Sequence, residues 1–402
     1  MREDVFTDEY VYNDIALGVS VFFISILTTI GGVGGGGLLL PLYSLLGGFP
    51  ISTSIPLSVA TILGDSLVRV LFLYNKPHPY HKSRYLVDLI PIMLITLYDS
   101  NASSLGIVLS KVLPDVVTMV CILLVLGWTF IKSLRKAIQT FQKENEFIKN
   151  DNTHVKLIID GLVQYIPWEV MEEHSTKDGK GDILLDKVVQ TSILVGTMLI
   201  MFIFSIFRPQ NICTSTYWLY YGIQILMVGF IAFFTNSYIT YIYERKKQEN
   251  YIFLAGDIVW NDKNIYTFTF IGSITGVLST YMGIGGGMIT TPVMIQIGMI
   301  PEVVIGSSAV TTFLSSLISV VNYVVAGTLV VPYAVYFAIL SSMGSFVGIG
   351  ISAILLTRLK RQSVIIFVVS FILLTSMILL IYNSVLQFID NPIINTGNVC
   401  LE

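Results

Sequence analysis

Charge is scarce in this chain. Only 12% of its 402 residues are Asp, Glu, Lys or Arg, against about 25% in soluble proteins, and that shortage excludes an ordinary water-soluble domain. Cysteine is scarce too: Cys121, Cys213 and Cys400 lie far apart with no CxxC pair. Their separation argues against a disulfide framework or a zinc site and for buried small hydrophobes. HExxH and the nucleophile elbow are both missing, so neither an enzyme nor a resident cofactor or metal is expected. The net charge of -3 offers no basic field for nucleic acid. The first residues are acidic (Glu3, Asp4, Asp8, Glu9, Asp14) and lack the basic region of a secretory signal, so the first apolar run reads as a retained helix.

What the chain has in abundance is apolar length. Hydrophobic residues make up 54% of it, with a mean hydropathy of +0.76. Apolar segments fall near 14–46, 54–74, 84–108, 115–133, 189–207, 217–243, 265–298, 303–326, 331–356 and 362–386. They are continuous rather than alternating, which excludes a transmembrane β-barrel. The fold class is therefore an all-α polytopic membrane protein with about ten transmembrane helices, because only helices satisfy their own backbone hydrogen bonds in lipid. Two polar stretches interrupt the pattern, 134–188 and 244–264. The first reads as a cytosolic loop in which Leu157, Ile158, Leu162, Tyr165 and Ile166 have helical spacing and 177–181 (KDGKG) is disordered. A protein partner on this loop is the alternative to a plain linker.

Sliding the chain by 251 residues lays Gly32–Pro41 (GVGGGGLLLP) on Gly283–Pro292 (GIGGGMITTP), and the match continues through Gly47 on Gly298, Pro50 on Pro301 and Thr61 on Thr312. The organisation that follows is a first four-helix repeat over 14–133, the loop 134–188, two additional helices over 189–243, the linker 244–264, and a second four-helix repeat over 265–386. Two homologous four-helix repeats then have glycine-broken first helices. Four crossings per repeat make the repeats parallel, and an odd number makes them inverted. With ten crossings most Lys and Arg fall on the side of the termini, leaving Lys111, Arg208, Arg358, Lys360 and Arg361 opposite and Arg69 inside a span. The positive-inside rule then puts both termini in the cytosol.

Each glycine in a helix costs about 1 kcal/mol relative to Ala, so the runs Gly34-Gly35-Gly36 and Gly285-Gly286-Gly287 point to unwinding followed by a restarted half-helix. Unwound backbone at membrane depth is tolerated only inside protein or beside a polar cavity. A restarted half-helix presents free N–H groups and a positive dipole end, which is a natural anion site. The alternative is that the glycines only allow close packing, but duplication with matched prolines weighs against it. Neither run fits GxxxxGK[ST], so a nucleotide loop is excluded.

The paired GxGGG runs, each ending in proline and followed by a hydroxyl-rich stretch such as GSSAVTTFLSS (Gly306–Ser316), resemble the sulfite exporter TauE/SafE family of membrane proteins. The resemblance covers roughly 14–133 and 265–386, and the long central insertion is closer to the enlarged eukaryotic members than to compact bacterial ones. It implies a transporter of sulfite or small organosulfonate and organosulfur anions, with two pseudo-symmetric repeats around a central site.

Polar residues within the spans complete the expected site. Asp65 and Arg69 lie four apart on one helical face, acid first. Arg69 would draw in anions and Asp65 would be its partner or a proton carrier; a self-neutralising structural pair is the competing reading. Ser307, Ser308, Thr311 and Thr312 fall on or near one face after the second break, and Thr61 and Asn322 offer further donors. Asp88, Asp99 and Asn101 lie along the third helix, with Asp99 the second proton-coupling candidate. His78 and His81, beside Lys76, Lys82 and Arg84, read as a basic headgroup-facing loop rather than a metal site. The expected function is a secondary transporter, in the export direction, of a small anion bound between the two glycine runs in a lipid bilayer, with a proton as coupling ion. The alternative is a non-transporting scaffold that keeps the fold.

Overall fold

The computed structural model describes residues 11–78, 81–149, 154–159, 162–167, 180–209, 211–248, 253–254, 257–359 and 363–390. Its helices are α1 (Val11–Gly31), α2 (Gly36–Leu45), α3 (Ile51–Leu73), α4 (Leu89–Val112), α5 (Asp115–Lys149), α6 (Lys180–Ile206), α7 (Ser215–Gln248), α8 (Asp262–Met282), α9 (Gly287–Ile297), α10 (Pro301–Val325), α11 (Val331–Leu359) and α12 (Ser363–Asp390). Among the described residues nine of these are long and apolar enough to cross a membrane. α8 falls below that mark because Thr267, Thr269, Ser273, Thr275, Ser279 and Thr280 dilute its apolar stretch. The chain is thus an all-α polytopic membrane protein.

Burial sorts the helices into a centre and a rim. α3, α4 and α10 are mostly buried, whereas α6, α7 and α11 turn most of their surface outward. On α7 the exposed side chains include Leu226, Phe230, Phe233 and Phe234. A contiguous aromatic face of that kind is stable against acyl chains and not against water.

The path of the chain is read by using one helix as a ruler for another. α1 runs parallel to α11: Tyr333 Oη donates to Asp14 at its start, Ser25 and Ser341 share a hydrogen bond of 2.8 Å, and the Thr29 and Ser345 hydroxyls lie 3.0 Å apart near its end. The chain then turns and climbs back, since the Tyr43 ring of α2 packs tilted against Phe337 and Phe49 meets Tyr333 edge to face. α1 and α2 therefore form a hairpin that returns to the end it left. α8 does the same from the opposite end, with α4 as its ruler. Its Gly272 lies against Ile95, its Gly276 against Asp99, and its Val277 and Thr280 against Gly106; the return leaves Gly306 against Leu86 and Val87. α3 and α10, which follow the hairpins, run in opposite directions.

Three expectations change. First, α5 is one helix through Lys149 and does not stop where the apolar run ends at 133. Second, Leu157, Ile158, Leu162, Tyr165 and Ile166 are not helical: β3 (His154–Ile159) and β4 (Leu162–Pro167) pair antiparallel, and β5 (Phe253–Leu254) joins β3. Val155, Ile158, Ile159 and Val163 favour strands, and Asp160-Gly161 between them is the two-residue hairpin signal. Pro77–His78 and His81–Tyr85 pair as a further short hairpin. Third, Cys213 is disulfide-bonded, while Cys121 is free; sequence separation was no guide, because a fold can bring distant cysteines together. Of the segment 177–181, Lys180 and Gly181 open α6 and the rest lies outside the described residues.

Candidate functional site

The two hairpins meet tip to tip. The breaks lie one residue or more ahead of the expected triplets: α1 ends at Gly31 and α2 restarts at Gly36, and α8 ends at Met282 and α9 restarts at Gly287. Gly34 and Gly35 have φ of 84° and 75° and Gly285 has φ of 73°, left-handed values that other residues adopt at a cost. A methyl at Gly36 would lie 2.4 Å from the carbonyl of Ile284, and one at Gly287 would lie 2.8 Å from the carbonyl of Val33. The Gly37 N–H points at the Met288 sulfur, 3.2 Å away and 251 residues distant in sequence. That is the repeat interval itself, so equivalent residues of the two tips face each other.

Each tip is held by the other half. Ser308 of α10 donates to the Gly32 carbonyl at 2.9 Å, joined by Thr291 of α9 at 2.9 Å, and Ser58 of α3 donates to the Gly283 carbonyl at 2.6 Å. These hydroxyls satisfy carbonyls that the broken helices leave open. The N–H groups of Gly35, Gly36, Gly286 and Gly287 have no backbone acceptor among the described residues. They sit at the starts of α2 and α9, where the dipoles favour negative charge.

Arg69 is the largest fully buried side chain of the described residues, at 0% exposure. Its Nη2 lies 2.7 Å from Asp65 Oδ2, and its Nε and Nη1 have no partner among the described residues. Thr29 Oγ1 donates to Asp65 Oδ1 at 2.7 Å, and Ser345 Oγ donates to the Asp65 carbonyl at 3.0 Å. A Cβ at Gly34 would stand 3.9 Å from Arg69 Nη2 and 3.3 Å from Thr312 Cγ2, so Arg69, Thr312 and the first break converge. Thr312 reaches both breaks, since its Oγ1 lies 2.6 Å from the Cβ position of Gly287. That hydroxyl, and Thr275 Oγ1 nearby, are buried without a partner.

The second break has a different neighbourhood. Ser315 Oγ is 3.3 Å and Thr275 Cγ2 is 3.4 Å from the Cβ position of Gly286. Asp99 is 1% exposed, its backbone packs on Gly276, and its carboxyl lies beside the Ser315 hydroxyl.

The structure therefore brings Gly34, Gly35, Gly36, Gly285, Gly286, Gly287, Thr312, Arg69 and Asp65 together, with Asp99 beside the second break. Other expected residues are engaged elsewhere. Thr61 is bonded to Tyr43 at 2.6 Å and bolts α2 to α3. Ser308 holds the Gly32 carbonyl, Thr311 donates to the Ser307 carbonyl, and Ser307 Oγ accepts from the Asp88 N–H at 3.0 Å near the start of α4. Asn322 lies toward the far end of α10, where it accepts from Arg208. Thr275, Ser315 and Ser345 were not on the expected site; Ser345 comes from α11, outside the aligned stretch, and nothing in its local sequence marks it.

Asp88 caps α4 by accepting from the Ile90 N–H at 3.1 Å. Burial pushes its carboxyl up to about 6; the Ile90 bond opposes this, Asp257 adds to it, and Lys246 and Arg84 act against it.

Residues 182–380 match the family model described as Sulfite exporter TauE/SafE. Sulfite exporter TauE/SafE family protein 3 of Arabidopsis thaliana is 29% identical over 392 residues, covering 92% of this chain and 79% of that protein. Family protein 1 of the same plant is 24% identical over 385 residues, covering 91% of this chain and 82% of that protein. No solved structure matches the chain.

Proposed function

We propose, from the likeness of this chain to the sulfite exporter TauE/SafE family, that it is a secondary transporter of a small sulfur-containing oxyanion, bound between the two hairpin tips. The observation that carries the reading is Arg69, a wholly buried guanidinium whose Nε and Nη1 are unsatisfied beside Gly34. A buried donor set without acceptors is costly in itself. An oxyanion would satisfy it, with the Thr312 hydroxyl and the open N–H groups of Gly35, Gly36, Gly286 and Gly287 as further donors.

Mechanistically, the anion competes with Asp65 for Arg69. Asp65, displaced from its counter-charge, is the first candidate to carry a coupling proton. Asp99 is the second candidate. The hairpins enter from opposite ends and α3 and α10 run antiparallel, which supports an inverted repeat, with one half rocking against the other to open the site alternately.

The same reading revises the orientation. The end where α4 and α8 begin carries Lys76, Arg84, Arg245, Lys246, Lys247 and Lys263, and the opposite end carries Lys111 and Arg208. The positive-inside rule assigns the first to the cytosol. The disulfide at Cys213, in the turn beside Arg208, fits an oxidising compartment at the other end. α1 starts and α12 ends on that non-cytosolic side, the reverse of the expectation from ten simple crossings, because each hairpin removes one. An impermeant maleimide applied outside intact vesicles should label Asn211→Cys and not Lys247→Cys; the opposite labelling overturns the assignment.

The test of function is flux of labelled sulfite, sulfate, thiosulfate and taurine in proteoliposomes, with and without a pH gradient. Saturable flux of one anion, lost in Gly286→Val at unchanged expression, is the expected result. No flux of any anion from folded protein would favour the scaffold reading.

A further inference from the structure

The two added helices, α6 and α7, lie outside both aligned repeats, yet they deliver a second buried arginine to the transport path. Arg208, in the turn after α6, is 7% exposed. Its Nη1 donates to Ser104 at 2.6 Å and its Nη2 to Asn322 Oδ1 at 3.0 Å, and its guanidinium carbon stands 5.7 Å from the Tyr217 ring centre. Asn322 in turn donates to Ser103 at 3.3 Å. One turn back from Ser104, Asn101 has a buried Oδ1 with no partner.

Among the described residues, the contrast with Arg69 is one of charge balance. Arg69 faces Asp65, whereas the ion pairs include no carboxylate for Arg208. Among the described residues every acceptor it has is neutral, so no carboxylate there offsets its positive charge. Removing a charge from water without a counter-charge is expensive, and a mobile anion is the counter-charge a transport path supplies.

The position fits as well. On α10, Thr312, Ser315, Ser319 and Asn322 recur at three- and four-residue spacing and all are buried. They form one polar stripe of about 15 Å, at 1.5 Å per residue, from the hairpin tips to Arg208. Asp99 and Ser103 of α4 are likewise one turn apart. We infer that Arg208, with Ser104 and Asn322, is a second anion station at the non-cytosolic mouth, where a small oxyanion pauses between the central site and the outside. This rests on the transporter reading above and adds a site to it. An anion docked there shares the outer Nη and Nε donors of Arg208, and the Asn101 amide lies within one helical turn.

The test uses the full-length protein in detergent and sulfite as the probe, titrated by calorimetry. The wild type is expected to bind two sulfite ions, Arg208→Gln one and Arg69→Gln one, with Arg208→Lys retaining two. Two ions bound by Arg208→Gln overturns the station; two bound by Arg69→Gln overturns the central site instead, so the two failures are distinct. In proteoliposomes Arg208→Gln should raise KM for sulfite offered from the Arg208 side about tenfold and change KM from the other side less than about twofold. A merely structural latch between α6 and α10 predicts equal loss from both sides together with a lower melting temperature, and that outcome also overturns the inference.

Discussion

At the first helix break a guanidinium and a carboxylate lie beside Gly34; at the second, the positions aligned with Asp65 and Arg69 are Ser316 and Val320, and the nearby acid is Asp99, lent by α4 of the other half. The breaks share a plan: both restart on a glycine, both carry a helical proline, and each has a carbonyl held by a serine of the opposite half, although Gly35 is left-handed and its counterpart Gly286 is right-handed. The two breaks share a scaffold and differ in their charged chemistry. Under the proposed function, that asymmetry would let the Arg69 side and the Asp99 side of the site be loaded separately.

The largest expected effect comes from disturbing the charges. Asp65→Asn leaves Arg69 buried and unpaired and should destabilise the protein by about 3–5 kcal/mol, whereas Asp99→Asn should be neutral or stabilising, since Asp99 faces no cation among the described residues. Equal losses in a thermal or denaturant melt would break the contrast. Next come the tips. Gly36→Ala forces a methyl to within 2.4 Å of the Ile284 carbonyl and should cost about 1–3 kcal/mol or more, while Gly286→Ala, with its nearest neighbour at 3.3 Å, should cost less. If both melt alike, the tips are not in contact. Removing either holding hydroxyl, Ser58→Ala or Ser308→Ala, leaves a buried carbonyl one donor short, for about 1–3 kcal/mol. The loss should be smaller at Ser308, because Thr291 still serves Gly32; a larger loss there would show that the two carbonyls are not equivalent.

The smallest effect is at Asp88. Its carboxyl titrates near 6 in the folded protein against an ordinary value of 3.8, so the native state holds a proton that the unfolded chain has lost. Stability should fall as pH rises from about 4 to 6 and level off above that. Asp88→Asn, which keeps a good cap, should flatten that slope in pH-dependent melts; an unchanged slope removes Asp88 as its source.

Much of this was legible in the sequence because the signals are local. Continuous apolar runs define helices, and two glycine runs at a fixed interval define the breaks. Arg69 and Asp65 stand out as charges four apart in an apolar run. What stayed hidden depends on the third dimension. Nothing in the sequence from Val11 to Leu45 distinguishes one long crossing from a hairpin, and the proposed orientation turns on that difference. Ser307 and Thr311 share a hydroxyl-rich stretch with Thr312, yet helix rotation aims only Thr312 at both tips. Arg208 follows an apolar helix like any interfacial arginine; its burial appears only when α6 packs beside α4 and α10. The strands β3 and β4 hide from the sequence because a short apolar run fits either period, and only the Asp160-Gly161 turn signal separates the two.

The central claim is that Arg69 binds the transported anion between the tips. The most direct measurement is labelled sulfite flux by the double variant Asp65→Asn/Arg69→Met in proteoliposomes, beside its melting temperature. Removing both charges together avoids an unpaired buried ion, so the account predicts a melting temperature within a few degrees of wild type and no saturable flux. Flux retained at wild-type KM would contradict it.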